Sequence, residues 1–444
     1  MLPALTLGLQ MGLTTALPMP AAVVALEATP QFELDAYTTQ IEARGGWWLE
    51  LEDKLLVAAP LGHYAELIEG HKVVADLGFL RPDDLALQSR ACGIDAHERH
   101  PAIVEAGRFA LVRIDANAVP YRAPALSEWK PVVPNQVLAR DQNARGHILM
   151  AKRTADPEVQ LRVNAFDAAQ WFGDVATLAG FNRSSYGSEI DQARDWLTAQ
   201  FQGQGLSVAT PSFTFGSTTV ENVVATLTGT TYPQEVLLIG GHYDSRQQVG
   251  SNPANTPGAE DNATGCAGVL AAARVFAQYP PQRTMVFVCF AGEEQGLHGG
   301  YAYVDALQAA GHAGDVDLAV IMDMIGYSGD ADLDVLLESS SAFNGVVSTF
   351  SSAAANYAPE LRVVTSTNYW GSDHVPFIEA GIPSLLTIEN DYGSYPHYHK
   401  TSDVPGNVTN ALTMGGGIMK MNIAVLTEAA GYSSSALFGN GFED

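Results

Sequence analysis

Apolar positions along the chain fall into two textures that meet near residue 155. Beyond it, Val163, Ala165, Phe166, Ala169, Trp171, Phe172, Val175 and Leu178 recur at helical spacing and predict one amphipathic helix. A second helix is predicted from about Ser188 through Ala193, Trp196 and Leu197 to Phe201, ending at the breakers Gly203 and Gly205. Short apolar runs follow at Asn222–Leu227, Val236–Ile239, Met285–Phe290 and Leu318–Met322, separated by helical stretches as far as Gly431. Strands alternating with helices predict an α/β domain with a mixed, mostly parallel sheet and helices on both faces. Before residue 155 the runs are shorter and joined by turns: Trp47–Leu51, Lys54–Ala59, His71–Ala75 and Phe109–Ile114. They predict a small β-rich or α+β module, and Pro131–Arg153 reads as the linker that follows it.

Composition adds bounds. At 444 residues, one large core plus an extra module is the natural expectation. Lys and Arg total 23 against 49 Asp and Glu, a net charge of −26, which repels phosphate backbones and anionic headgroups and argues against nucleic-acid and membrane partners. Cys92, Cys266 and Cys289 are too few for a disulfide framework. Residues 1–26 hold no charged side chain and resemble the apolar part of a signal peptide, with small residues at Ala21, Ala22 and Ala25 as cleavage positions, so secretion to the periplasm or medium is expected. His97-Glu98-Arg99-His100 is not a zincin helix, because its imidazoles stand three residues apart rather than four. The expected organisation is 1–26 leader, 27–155 N-terminal module and linker, 156–432 main domain and 433–444 tail.

Candidate chemistry lies at the ends of the predicted strands. His242, Asp261, Glu294, Asp323 and His399 form an ordered series of metal-type ligands, placed where loops at the carboxyl ends of parallel strands converge on one crevice. Two imidazoles and three carboxylates suffice for two zinc ions when one carboxylate bridges, with room for a shared water. That set points to a hydrolase.

Gly241-His242-Tyr243-Asp244-Ser245, Pro257–Gly265 around Glu260-Asp261-Asn262, Ala291-Gly292-Glu293-Glu294-Gln295-Gly296-Leu297, Met322-Asp323-Met324 and His397-Tyr398-His399-Lys400-Thr401 resemble the motif set of the M28 zinc aminopeptidases, in particular the bacterial secreted leucine aminopeptidases. The resemblance covers about residues 160–432. It implies two Zn2+ per chain: Asp261 bridging, Glu294 and His399 completing one site, His242 and Asp323 the other. It also implies Glu293 as general base toward the water held between the ions, and Tyr369 as hydrogen-bond donor to the developing oxyanion. Asp244 is expected to orient the His242 ring from behind. Asn262 stands where the family often has Asp, and the Asp261–Asn262 peptide is expected to be cis. His374 reads as structural.

The same resemblance places a side-chain pocket at Met324, Ile388, Tyr392, Tyr395 and Tyr398, whose apolar and aromatic character suits a large hydrophobic N-terminal residue such as Leu. Glu389 and Asp391 lie nearby and leave a basic residue as the alternative. The expected substrate is a peptide with a free N-terminus, and the expected state is a monomer. The N-terminal module resembles the family's propeptides, so the mature form is expected to lack about the first 150 residues; a permanent accessory domain is the alternative. A glutaminyl-cyclase-like acyltransferase is the rival enzyme class, and the five-ligand set with paired glutamates favours the peptidase. A carboxypeptidase needs an arginine for the terminal carboxylate, and the metal loops show only Arg246.

Overall fold

The computed structural model describes residues 17–26, 29–89, 101–106, 109–114, 129–142, 155–247 and 255–432. Expectations placed on residues 1–16, Cys92, His97-Glu98-Arg99-His100 and the 433–444 tail lie outside them. The N-terminal module forms β1 (Met19–Ala25), α1 (Gln31–Ala43), β2 (Trp47–Leu51), β3 (Lys54–Ala58), α2 (Leu61–Ile68), β4 (Val73–Leu80), β5 (Leu85–Ser89), β6 (Ala102–Ala106), β7 (Phe109–Arg113), β8 (Trp129–Pro131) and β9 (Gln136–Asp141). The main domain continues with α3 (Pro157–Asn164), α4 (Ala168–Leu178), α5 (Ile190–Gly203), β10 (Ser207–Ala209), β11 (Ser212–Phe215), β12 (Thr218–Glu221), β13 (Val223–Leu227) and β14 (Tyr232–His242). Then come α6 (Thr264–Gln278), β15 (Arg283–Phe290), α7 (His298–Ala310), β16 (Val316–Met322), β17 (Leu333–Glu338), α8 (Asn344–Tyr357), β18 (Leu361–Ser366), α9 (His374–Glu379), β19 (Ser384–Glu389) and α10 (Ala411–Ala430).

Thirteen strands make one sheet in the order β10-β13-β15-β14-β16-β19-β17-β18-β9-β2-β3-β1-β4. Its centre is parallel: β14 pairs with β15 on one side and β16 on the other, and β16 pairs with β19. These strands are buried on both faces, which is why they read as continuous apolar runs rather than alternating ones. Helices α3, α4, α6, α8 and α10 pack on one another in one layer, whereas α7 and α9 pair on the opposite face. The chain therefore leaves β14 toward one face and β15 toward the other, so the carboxyl ends of β14, β15 and β16 surround a topological switch point.

Three stretches take a form in the structure that the sequence did not suggest. The helix expected from Val163 is two helices, broken at Ala165-Phe166-Asp167, where the Asp167 carboxylate caps α4 by accepting the Ala169 and Gln170 N–H groups. The stretch expected as linker contains β9, which runs parallel to β2 and antiparallel to β18 and so joins module and domain in one sheet. Within the stretch expected as leader, Met19–Ala25 is β1, paired with both β3 and β4 and buried along its centre. An uncharged apolar run looks the same whether it is a leader or a strand covered on both faces.

Candidate metal centre

All five expected ligands converge behind the carboxyl ends of the central strands. His242 is the last residue of β14, Glu293 and Glu294 follow β15, and Asp323 follows β16, with its N–H held by the Thr387 carbonyl of β19 at 3.2 Å. Asp261 sits in the turn entering α6, and its peptide bond to Asn262 is cis. His242 Nε2 lies 3.4 Å from Asp261 Oδ1, 3.4 Å from Asp323 Oδ1 and 3.8 Å from Glu293 Oε2. His399 Nε2 lies 2.9 Å from Asp261 Oδ2 and 3.1 Å from Glu294 Oε2. Asp261 thus faces both imidazoles, one oxygen to each, which is the geometry of a bridging carboxylate.

The surroundings fix these side chains. Asn262 Nδ2 donates to the Met322 carbonyl at 2.9 Å, and its Oδ1 accepts the N–H groups of Gly265 and Met324, so one amide ties the β16 exit to the start of α6. A Cβ at residue 265 would stand 2.5 Å from the Met322 carbonyl, so this approach requires glycine. The His242 ring is oriented differently from expectation. Its Nδ1 lies 3.1 Å from the Asp244 main-chain carbonyl and 3.6 Å from the Asp244 carboxylate, whose oxygens instead accept from Ser185 Oγ and the Glu293 N–H.

The electrostatics are those of concentrated, buried anions. Burial alone would raise the Asp261 carboxyl, but the His242 and His399 imidazoles outweigh it and hold it below the usual carboxylate range. Burial opposes charging of His242, and the Glu293 and Asp323 carboxylates overcome that and push its pKa up. Glu293 is pushed well up by burial, with His242 opposing and Asp323, Glu294 and Asp373 adding. Yet His242 Nε2, His399 Nε2, Asp323 Oδ1 and both carboxylate oxygens of Asp261, Glu293 and Glu294 are buried with no hydrogen-bond partner. Native interiors rarely leave so many polar atoms unsatisfied in one place, and a cation-binding centre accounts for all of them together. Two triads, His242–Glu293–Asp323 and His242–Asp261–Glu294, hold ligand atoms within 4.8 Å of one another. The donor set of imidazole nitrogen and carboxylate oxygen fits zinc.

Sequence reasoning missed several supporting residues. Ser372 Oγ donates to Asp323 Oδ2 at 2.7 Å. Asp403 accepts the N–H groups of Glu260 and Asp261 at 2.9 and 3.1 Å, and so holds the ligand turn. Arg183, wholly buried, donates to the carbonyls of Tyr243, Leu178, Pro257 and Gly258, each at 2.6 Å, bracing the loops that carry His242 and Asp261. Asp373, also wholly buried, is pushed up to about 8 by burial, with His242 pulling down and Asp244 and Asp323 pushing up. His374 is structural as expected: it is buried, with Nε2 3.2 Å from Glu338 Oε1.

The expected pocket residues divide. Met324, Ile388, Tyr392, Tyr395 and Tyr398 are all buried. Tyr398 stacks on the His399 ring at 3.8 Å and Tyr392 meets Tyr398 edge-on, so both belong to the wall behind that ligand. The Tyr395 hydroxyl donates to Asp403 Oδ1 at 2.7 Å, so this residue also braces the ligand turn. Tyr369 is half-buried; its carbonyl accepts from Lys130 Nζ of β8 at 2.6 Å, and burial, then Glu379, pushes its phenol up. Glu389 is buried, and the half-buried Asp391 accepts the Gly329 N–H at 2.8 Å.

The fold and the convergence of imidazoles and carboxylates together define a candidate metal centre at the carboxyl ends of the parallel central strands. Residues 222–415 match the family model described as Peptidase family M28. A probable zinc metalloprotease of Pyricularia oryzae is 34% identical over 175 residues, covering 35% of this chain and 35% of that protein. One of Leptosphaeria maculans is 28% identical over 272 residues, covering 52% and 62%. The chain thus spans about a third of the first relative's length and less than two thirds of the second's. Among solved structures, the LapA aminopeptidase of Legionella pneumophila superposes with a TM-score of 0.55 at 18% identity, covering 78% of this chain and 98% of that one. LapB of the same organism gives 0.54 at 16% identity, covering 93% and 99%, so the likeness in fold reaches into the N-terminal module.

Proposed function

We propose that this protein is a dizinc aminopeptidase that removes single N-terminal residues, preferentially large hydrophobic ones, from peptides. The observation that carries the reading is Asp261, with one carboxylate oxygen toward each imidazole and Glu293 and Glu294 on either side of the pair. His242 and Asp323 would hold one ion, Glu294 and His399 the other, and Asp261 both. Zinc bound there supplies Lewis acidity and lowers the pKa of attacking water toward neutrality. Glu293 contacts no hydrogen-bond donor, so its carboxylate is at liberty to take the water's proton and return it to the leaving amine. The buried setting keeps its pKa above that of an ordinary carboxyl, closer to the proton affinity the task needs. Tyr369 supplies the oxyanion hydrogen bond, and Met324, Ile388, Tyr392 and Tyr398 line the side-chain pocket.

The test compares a leucyl peptide with its N-acetylated form. Hydrolysis of the free peptide alone, one residue at a time, is expected; cleavage of the acetylated peptide at an internal bond would refute exopeptidase character and spare the metal centre. Faster turnover of Lys or Arg than of Leu at the N-terminus would overturn the hydrophobic preference. Export and monomeric action are part of the proposal. N-terminal sequencing of the active protein decides where a leader ends and whether the module stays attached.

A further inference from the structure

The two halves of the centre differ in how their histidines are prepared. His242 Nδ1 lies 3.1 Å from the Asp244 main-chain carbonyl, an acceptor only. Nδ1 must therefore carry the ring proton, which leaves the Nε2 lone pair turned toward Asp261 and Asp323, ready to ligate. His399 is the reverse. Its Nδ1 lies 3.2 Å from both Nε and Nη2 of Arg246. A guanidinium has no acceptor, so Nδ1 accepts and the proton of a neutral His399 ring sits on Nε2, facing Asp261 at 2.9 Å and Glu294 at 3.1 Å. Ligation through Nε2 moves that proton to Nδ1, where it meets the Arg246 N–H head-on. The two arrangements exclude each other.

The same guanidinium lies 3.3 Å from Glu294 Oε2. Glu294 and His399 are the two ligands assigned to one ion alone, and Arg246 touches both. Among the described residues, no lysine or arginine forms an ion pair with His242 or Asp323. The Arg246 side chain keeps 21% of its surface, so it lies at the rim of the centre.

We propose that Arg246 is an internal cation that competes with zinc for Glu294 and His399, making that half of the centre the weaker and exchangeable one. This rests on the two-ion reading above. Loading the second ion requires the guanidinium to leave His399 Nδ1 and give up its contact with Glu294. Among the described residues the His242–Asp323 half carries no such competitor, and it fills first.

The test uses the full chain, stripped of metal and dialysed against zinc buffered over a range of free concentrations, with zinc per chain as the readout. Wild type should bind two ions in separated steps. Arg246→Ala should tighten the second step by about 10- to 100-fold, the usual size of a change beside a ligand, and move the first by less than about threefold. Arg246→Lys, which keeps the charge, should retain most of the separation. Steps unchanged in Arg246→Ala, or both tightened equally, would overturn the proposal. Histidine-selective nitrogen NMR of the metal-free protein gives a second reading: His399 should hold its proton on Nε2 in wild type and lose that preference in Arg246→Ala and Arg246→Gln. A wild type that takes up only one zinc defeats the two-ion reading, and the NMR measurement then still decides whether Arg246 sets the tautomer.

Discussion

Two sets of buried carboxylates sit on the same sheet and are treated in opposite ways. Where module and domain join, Glu50 is buried and held by Arg140 through Nε and Nη2, the latter at 2.7 Å, and the buried Asp141 is held by Arg362. Behind β14, β15 and β16, Asp261, Glu293, Glu294 and Asp323 are as deeply buried, and their free oxygens have no hydrogen-bond donor. Taking a carboxylate out of water is expensive unless a partner compensates. At the seam the partner is an arginine, which makes those acids structural. In the crevice, among the described residues, only Glu294 has an arginine beside it, Arg246 at 3.3 Å, and on the reading proposed above the other anions are compensated by bound zinc.

The largest effect that bears on this contrast is on turnover. Glu293→Gln should keep zinc but lower peptide hydrolysis by about 10²- to 10⁴-fold, since only proton transfer is removed; near-normal rates would show that another group is the base. Chelation comes next. Stripping zinc should lower the unfolding free energy by about 4 kcal/mol if the ion was present at roughly a thousand times its Kd, read as a fall in the melting midpoint that added zinc restores. An unchanged midpoint would mean that the crevice carboxylates are not compensated by metal. At the seam the sign reverses: Glu50→Gln should cost about 3 kcal/mol by leaving Arg140 without its ion, whereas Glu293→Gln should not destabilise the metal-free protein at all.

The smallest effect concerns pH. Burial pushes the Asp403 carboxyl up to about 6 from an ordinary 3.8, while the N–H groups it receives and the Tyr395 hydroxyl pull it down. Its proton is therefore bound more tightly in the folded chain. The group's contribution to stability falls as pH rises from about 4 to 6 and is level above. Zinc retention should run the other way, dropping a few-fold as pH falls through about 6 and the grip on the Asp261 turn weakens. Asp403→Asn should shrink that step in a dialysis series; a step of full size would exclude Asp403 as its source.

The central strands and the five candidate ligands that the structure brings together were legible in the sequence because both signals are local. A strand buried on both faces is a run of apolar residues, and each ligand stands within a short motif at the end of a strand or in the loop before a helix. What escaped was set by distance across the chain. Arg183 acts on carbonyls near Tyr243 and Gly258, Asp403 on a turn far upstream, and Ser372 on Asp323; none has a neighbour in sequence that reveals its partner. β1 and β9 escaped for another reason. One resembles a leader and the other lies among prolines and polar residues, and only the strands that accept them on either side define them as part of the sheet. The bracing contact of Tyr395 escaped as well, because an aromatic near a ligand motif reads as a wall and its 2.7 Å hydrogen bond to Asp403 is visible only in the fold.

The thirteen-strand sheet has a consequence for maturation. β9 covers β18 through a short pairing at Val364–Asp141 and Thr365–Arg140. Proteolytic loss of the module would strip that cover and leave β18, with Val363 and Val364 in it, as an unguarded sheet edge, the kind of surface on which chains pair edge to edge and aggregate. A processed enzyme would then have to be kept apart by its charge. The short pairing also fixes where such a protein is vulnerable: agents that pull β9 away create an aggregation template before they touch the metal centre.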